Sequence, residues 1–259
     1  MNQMQQTRGL ALAAKAARTA DRALTLLTYF VLSMVIVYAS YAMWDNYQIL
    51  NGARADKSLL KFKPELSASG GGVTFEEILK VNPDVRAWLT LEDTGIDYPV
   101  VQGEDNFEYL NKDVFGNFAL AGSLFLDNRN SGDFTDRYSL IYGHHMDANA
   151  MFGGLDHYCE ETFFNAHPKG TLVLEHTAYD IDLFAAISAD AFDEIIFDPT
   201  GSAENTEPLL EFIRKQALQY REPELPANAR ILGLSTCSDA STNARVIVFG
   251  VLNEYKGGN

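Results

Sequence analysis

From Ala23 to Trp44 the chain reads ALTLLTYFVLSMVIVYASYAMW, 22 residues without a charge. A helix of about 20 apolar residues crosses the hydrocarbon core of a bilayer. Tyr38, Tyr41 and Trp44 gather at one end of the stretch, as aromatics do at a membrane interface. A buried core helix of this length without one charge is unusual. A cleaved signal peptide has an apolar region of about 7–15 residues, shorter than this one. The segment therefore reads as a membrane anchor. Residues 1–22 carry Arg8, Lys15, Arg18 and Arg22 against Asp21, a net of +3. Positive flanks stay inside, so the N-terminus is expected in the cytoplasm and residues 45–259 outside.

Subtracting that +3 from the whole-chain charge of −15 leaves −18 on the remainder. A chain so acidic lacks the basic footprint that phosphate neutralisation needs, so nucleic acid is excluded as a partner. Hydrophobic residues make up 47% of the sequence, which argues for a globular domain after the anchor. The expected organisation is a basic cytoplasmic segment over 1–22, a transmembrane helix over 23–44, an extracellular linker or helical stalk over 45–72, and a catalytic domain over 73–259. The ELSASGGG stretch at 65–72 reads as the linker or loop before that domain.

The domain alternates short apolar runs with turn signals. Strands are predicted over 87–90, 96–101, 123–126, 138–142, 171–175, 181–187, 229–235 and 245–252. Helices are predicted over 75–81, 151–166 and 207–220, with a helical turn over 105–112. Many short strands with few interposed helices suggest a closed or nearly closed sheet, not alternating strand–helix–strand units.

The chain has two cysteines, Cys159 and Cys237. Cys237 ends the apolar run ARILGLSTC, where it is either a small core residue or a nucleophile at the rim of a sheet. A nucleophilic cysteine needs a group that favours the thiolate, a proton donor for the leaving group and a cation or donor for the oxyanion. His144 and His145, in YGHHM, follow a strand and a glycine, a place where active-site side chains collect. The alternative is a pair of surface histidines or metal ligands, but adjacent residues on extended chain point to opposite sides and rarely share one metal. Arg245 lies eight residues beyond Cys237, across the polar turn 238–244. It is either an edge arginine with its stem buried or a guanidinium with a task beside Cys237. Cys159 reads as a structural thiol, and a bridge between the two cysteines stays open.

Together, LSTC at 234–237, Arg245, YGHHM at 142–146 and the preceding apolar helix resemble the sortase family, class B. IDYPVVQGEDNFEYLNKD at 96–113, GSLFLDNRNSGDFTD at 122–136 and MFGGL at 151–155 extend the resemblance from about Val73 to Leu252. Gly233 departs from the family pattern, which often has threonine there. The resemblance implies a mostly β fold with added helices, a closed β-barrel of about eight strands after the transmembrane helix. It implies Cys237 as nucleophile, His144 as the acid that protonates the departing amine, and Arg245 as the group that positions substrate and stabilises the tetrahedral intermediate. His145 is implied to be non-catalytic. Asn106, Leu110, Tyr142, Ser235 and Thr236 match positions that line the substrate groove, and the substrate-selecting segment falls within 190–228. No metal or cofactor is implied. The 127–136 turn looks like a calcium loop only superficially, because Arg129 stands where an oxygen ligand is needed.

The implied activity is that of a cysteine transpeptidase in a Gram-positive plasma membrane. It would cleave the C-terminal sorting motif of surface proteins after Thr, through a thioacyl-enzyme. The acyl group would pass to an amine of cell-wall precursor or a pilin lysine. An anchored cysteine peptidase that only hydrolyses is the alternative, and a non-catalytic module on the same scaffold a weaker one. The motif, the acceptor and the choice between wall anchoring and pilus assembly are not written in the sequence.

Overall fold

The computed structural model describes residues 2–53, 57–67, 69–226, 228–237 and 243–257. The chain divides into two units, Met1–Gln48 and Ile49–Asn259. From Asn2 on the first unit is helical, within α1 (Asn2–Ala53). Every side chain from residue 7 to 48 is exposed, including Leu27, Phe30, Ile36 and Trp44. An apolar stripe that covered a protein core would be buried, so α1 is a candidate membrane span, and Thr7–Gln48 is long and apolar enough to make one.

The second unit begins with the end of α1, where the Ala53 carbonyl accepts a hydrogen bond from the Tyr98 hydroxyl at 3.1 Å. A single turn, α2 (Lys57–Leu60), precedes α3 (Gly72–Val81), whose Phe75 and Ile78 are buried. The glycine-rich stretch before α3 is a packed loop, with the Gly71 N–H donating to the Leu174 carbonyl. Strands β1 (Val85–Leu91), β2 (Asp97–Val101), β3 (Leu124–Leu126) and β4 (Tyr138–His144) follow. A 3-10 helix at Gly153–Cys159 and α4 (Glu161–Ala166) lead to β5 (Lys169–Val173) and the long β6 (Ala178–Asp190). Then come α5 (Glu194–Phe197), a 3-10 turn at Pro199–Ser202, α6 (Glu207–Gln216) and β7 (Ala217–Tyr220). The chain closes on β8 (Arg230–Cys237) and β9 (Ala244–Glu254).

Eight of these strands form a closed barrel in the order β5-β1-β2-β3-β4-β8-β9-β6, sealed by the β5–β6 pairing, and β7 adds to β6 outside the ring. This is the fold class expected from the sequence. The inward positions of alternate strands make the core, among them Leu89, Val100, Leu124, Ile141, Ile181, Leu234 and Val248. Outward positions are covered by two separate aprons. Phe75, Ile78, Tyr109 and Val114 cover Trp88, Val101 and Phe125 on one side. Ile196, Leu209 and Ile213, from α5 and α6, cover Tyr138, Leu140, Ile231 and Phe249 on the other. Tyr142 touches both aprons and so lies at their seam.

Two expected helices differ. The 207–220 helix stops at Gln216, and β7 pairs antiparallel with β6 through Ala185–Tyr220 and Ala186–Gln219. Pairing at an open strand edge overrides the helical period there, and Leu218 is left 52% exposed. The 151–166 helix is broken, because Gly153 and Gly154 open it as a tight 3-10 helix and Glu160 is extended before α4.

Candidate active site

Strands β4 and β8 run parallel, with Tyr142 opposite Ser235, Gly143 opposite Thr236 and His144 opposite Cys237. Strands β8 and β9 run antiparallel, in a register where Arg230 faces Leu252 and Ser235 faces Ile247. The pairing ends at Ser235–Ile247; continued by two residues, that register would set Cys237 opposite Arg245. A hydrogen bond one step inside it, from the Val246 N–H to the Thr236 Oγ1 at 3.2 Å, holds the two strands together there. On that continued register, His144, Cys237 and Arg245 fall in one row across three neighbouring strands. Strands lie about 4.8 Å apart, so the row spans roughly 10 Å. Parity puts the row on the outer face of the barrel, at the seam between the two aprons.

Two glycines make this row buildable. A Cβ on Gly143 would lie 2.4 Å from Leu124 and 2.7 Å from Phe152, so the residue before His144 has no room for a side chain. A Cβ on Gly233 would lie 2.8 Å from the Tyr138 hydroxyl and 2.9 Å from Leu140. The departure from threonine at 233 therefore has a local cause, the fully buried Tyr138 ring on the neighbouring strand.

His144 is half-buried, and its Nε2 lies 2.7 Å from the Leu110 carbonyl oxygen. A carbonyl only accepts, so Nε2 carries a hydrogen and Nδ1 is the nitrogen left to gain or lose a proton. His145 is exposed and pairs with Asp156 at 2.7 Å, away from the row. Arg245 is half-buried and, among the described residues, makes no ion pair. The polar turn expected over 238–244 lies outside the described residues at 238–242. Cys159 is a free, half-buried thiol, pushed up by burial and by Asp156 and Glu160, which makes it a poor nucleophile.

The expected groove residues are placed as follows. The Tyr142 ring lies 5.2 Å from the Phe125 ring centroid and is stacked on Phe197 at 6.4 Å and 14°. Leu110 and Asn106 come from the 105–112 side, and both are half-buried. Ser235 and Thr236 are buried, with the Ser235 hydroxyl donating to the Thr236 carbonyl at 3.2 Å; parity puts Ser235 on the face of Cys237 and Thr236 on the inner face. Phe197 and Asp198, which contact Tyr142 and Arg129, lie within the segment expected to select substrate.

The sequence reading assigned no part to Asp127. Its side chain is fully buried just after β3, and it accepts hydrogen bonds from Asn106, Arg129 and the Tyr142 hydroxyl. Burial pushes this carboxyl up, but the Arg129 and Tyr142 hydrogen bonds more than offset it and hold it below the usual carboxylate range. Arg129, which spoiled the calcium-loop reading, is thus the partner of a buried carboxylate. The available signal was an Asp ending the apolar run Leu124-Phe125-Leu126, with an Arg two residues on.

No protein-family model matches the chain. A curated sortase B from Listeria monocytogenes is 33% identical over 180 residues, covering 68% of this chain and 72% of its own length. The solved structure of a Streptococcus pyogenes class B sortase involved in pilus biogenesis is 44% identical, with a TM-score of 0.65, covering 70% of this chain and 98% of that one. A Staphylococcus aureus sortase B–substrate complex is 28% identical, with a TM-score of 0.65, covering 71% and 88%. With its eight-strand barrel and its apolar N-terminal helix, the chain belongs to the class B sortases and is a cysteine transpeptidase.

Proposed function

We propose that Cys237, His144 and Arg245 are the catalytic residues of this sortase. The observation that carries the reading is the pairing of His144 with Cys237 on β4 and β8, with the β8–β9 register leading on to Arg245. The Cys237 thiolate attacks the carbonyl carbon of a Thr in a C-terminal sorting motif. A tetrahedral intermediate forms, with negative charge on the former carbonyl oxygen. The Arg245 guanidinium, which cannot lose its proton, stabilises that charge. The C–N bond breaks as His144 delivers its proton to the departing amine, leaving a thioester on Cys237. An incoming amine then attacks the thioester, the neutral histidine takes its proton, and the thiolate leaves.

The peptide lies along the seam, over Tyr142 and between Asn106 and Leu110 on one side and the 194–203 wall on the other. Ser235 lies beside Cys237 on the same face, and Thr236 ties β8 to β9 from the inner face. The acceptor is an amine of cell-wall precursor or a pilin lysine. The 44% identity to the S. pyogenes enzyme involved in pilus biogenesis favours the pilin. The N-terminal segment lies in the cytoplasm and the catalytic domain outside, in keeping with the basic flank of the apolar helix. An anchor confines the enzyme to the surface where a membrane-retained substrate is found, which raises effective concentration.

The test incubates the full chain with sorting-motif peptides, with and without a lysine-bearing pilin fragment or a wall-precursor amine. Amine-dependent ligation after Thr supports the reading. Hydrolysis alone, at saturating amine, would replace it with the peptidase alternative.

A further inference from the structure

Among the described residues, Asp127 is the only carboxylate in the buried set, which holds no Glu, Lys, Arg or His. Its carboxylate is saturated with donors. Oδ1 accepts from the Arg129 backbone N–H at 3.0 Å and from Arg129 Nε at 2.8 Å. Oδ2 accepts from Arg129 Nη2 at 2.8 Å, Asn106 Nδ2 at 3.0 Å and the Tyr142 hydroxyl at 2.9 Å. Arg129 then reaches across the seam. Its Nη2 donates to the Phe197 carbonyl at 2.5 Å, and its Nη1 donates to Asp198 at 3.2 Å. Phe197 closes the circuit by stacking on Tyr142. One carboxylate therefore holds the floor of the groove, a residue of the near wall and, through one guanidinium, the far wall.

Burying a carboxylate is unfavourable compared with packing an apolar side chain of similar size, unless the charge organises something. Here it organises a rigid, bidentate contact of a kind that only Arg and a carboxylate make together. None of its bonds reaches His144, Cys237 or Arg245.

We propose that Asp127 is a positioning residue: through Arg129 it latches the 194–203 wall to the Tyr142 floor and so sets the width of the peptide groove. The latch governs capture of the sorting peptide, not the reaction at Cys237. This rests on the groove reading above.

The test uses the full chain in detergent and a sorting-motif peptide. Asp127→Asn keeps the shape and removes the charge. It is expected to raise KM about 10-fold and change kcat by less than about 3-fold. Alkylation of Cys237 by iodoacetamide should stay within about 2-fold of the parent rate. Asp198→Asn sits at the exposed end of the latch, keeps an oxygen to accept from the Thr200 N–H and hydroxyl that Asp198 also caps, and should raise KM about 3-fold. The double variant should raise KM no more than Asp127→Asn alone, because both changes open one latch. An unchanged KM in Asp198→Asn together with an unchanged KM in Asp127→Asn would overturn the proposal. So would a loss confined to kcat. If Asp127→Asn does not fold, Arg129→Lys and Asp198→Asn decide it by the same KM criterion. A Cys237→Ala control separates the two readings. If it is inactive while the latch variants behave as the parent, only the latch fails. If it remains active, the site reading itself fails.

Discussion

At the scale of single residues, the account turns on a row of three positions and the glycines that let it form. Cys237→Ala is expected to lower kcat/KM on a sorting peptide by on the order of 10^3-fold or more, measured by peptide cleavage. Arg245→Lys keeps the charge but loses the planar fork, and about 10^2-fold in kcat is expected to go with it. Gly143→Ala drives a methyl into Leu124 and Phe152, so the fold should lose about 1–3 kcal/mol, read from urea unfolding. The buried carboxylate of Asp127 adds a pH signature. Its folded-state pKa is depressed, so its contribution to stability is fully present above the ordinary value of about 3.9 and is lost as pH falls through the folded value. The stability gap between the parent and Asp127→Asn should therefore hold steady from pH 7 to about pH 4 and narrow below it.

At the scale of elements, the barrel strands and the α6 apron behave differently from what local pattern alone suggests. Leu209 and Ile213, four residues apart, are fully buried against the outer face of the barrel. Leu209→Ala should cost about 2–5 kcal/mol. Leu218, on the same helical period, stands 52% exposed on β7, so Leu218→Lys should shift stability by less than about 0.5 kcal/mol in the same denaturation assay. That contrast marks where sequence ceases to report structure. The candidates were legible as a strand ending in Cys237, a histidine after a strand and an arginine on the next strand, but the residues alone left each open and only the family resemblance gave them roles. The strands were legible because they are short apolar runs bounded by turn signals, as expected of a barrel wall covered on both faces. The end of α6 was not, because whether residues 217–220 coil or extend depends on an open edge of β6, far away in sequence. Asp127 was not, because a buried carboxylate looks like any turn aspartate until Asn106, Tyr142 and Arg129 converge on it from three separate segments.

At the scale of the whole molecule, a long exposed apolar helix and an acidic catalytic unit meet in one chain. In the proposed orientation, the net charge of +3 over residues 1–22 keeps the N-terminus inside. Replacing Arg8, Lys15, Arg18 and Arg22 with glutamate should lower the fraction of catalytic domain that external protease can shave from intact cells. An unchanged fraction would remove the charge argument for topology. The central claim, however, is chemical, and intact-mass and peptide-mapping mass spectrometry of the full chain with a panel of sorting peptides addresses it most directly. The account predicts a thioacyl adduct on Cys237, bearing the peptide up to its Thr, absent in Cys237→Ala and discharged by an added amine. An adduct on Cys159, or processing of the peptide by the Cys237→Ala variant, would contradict it.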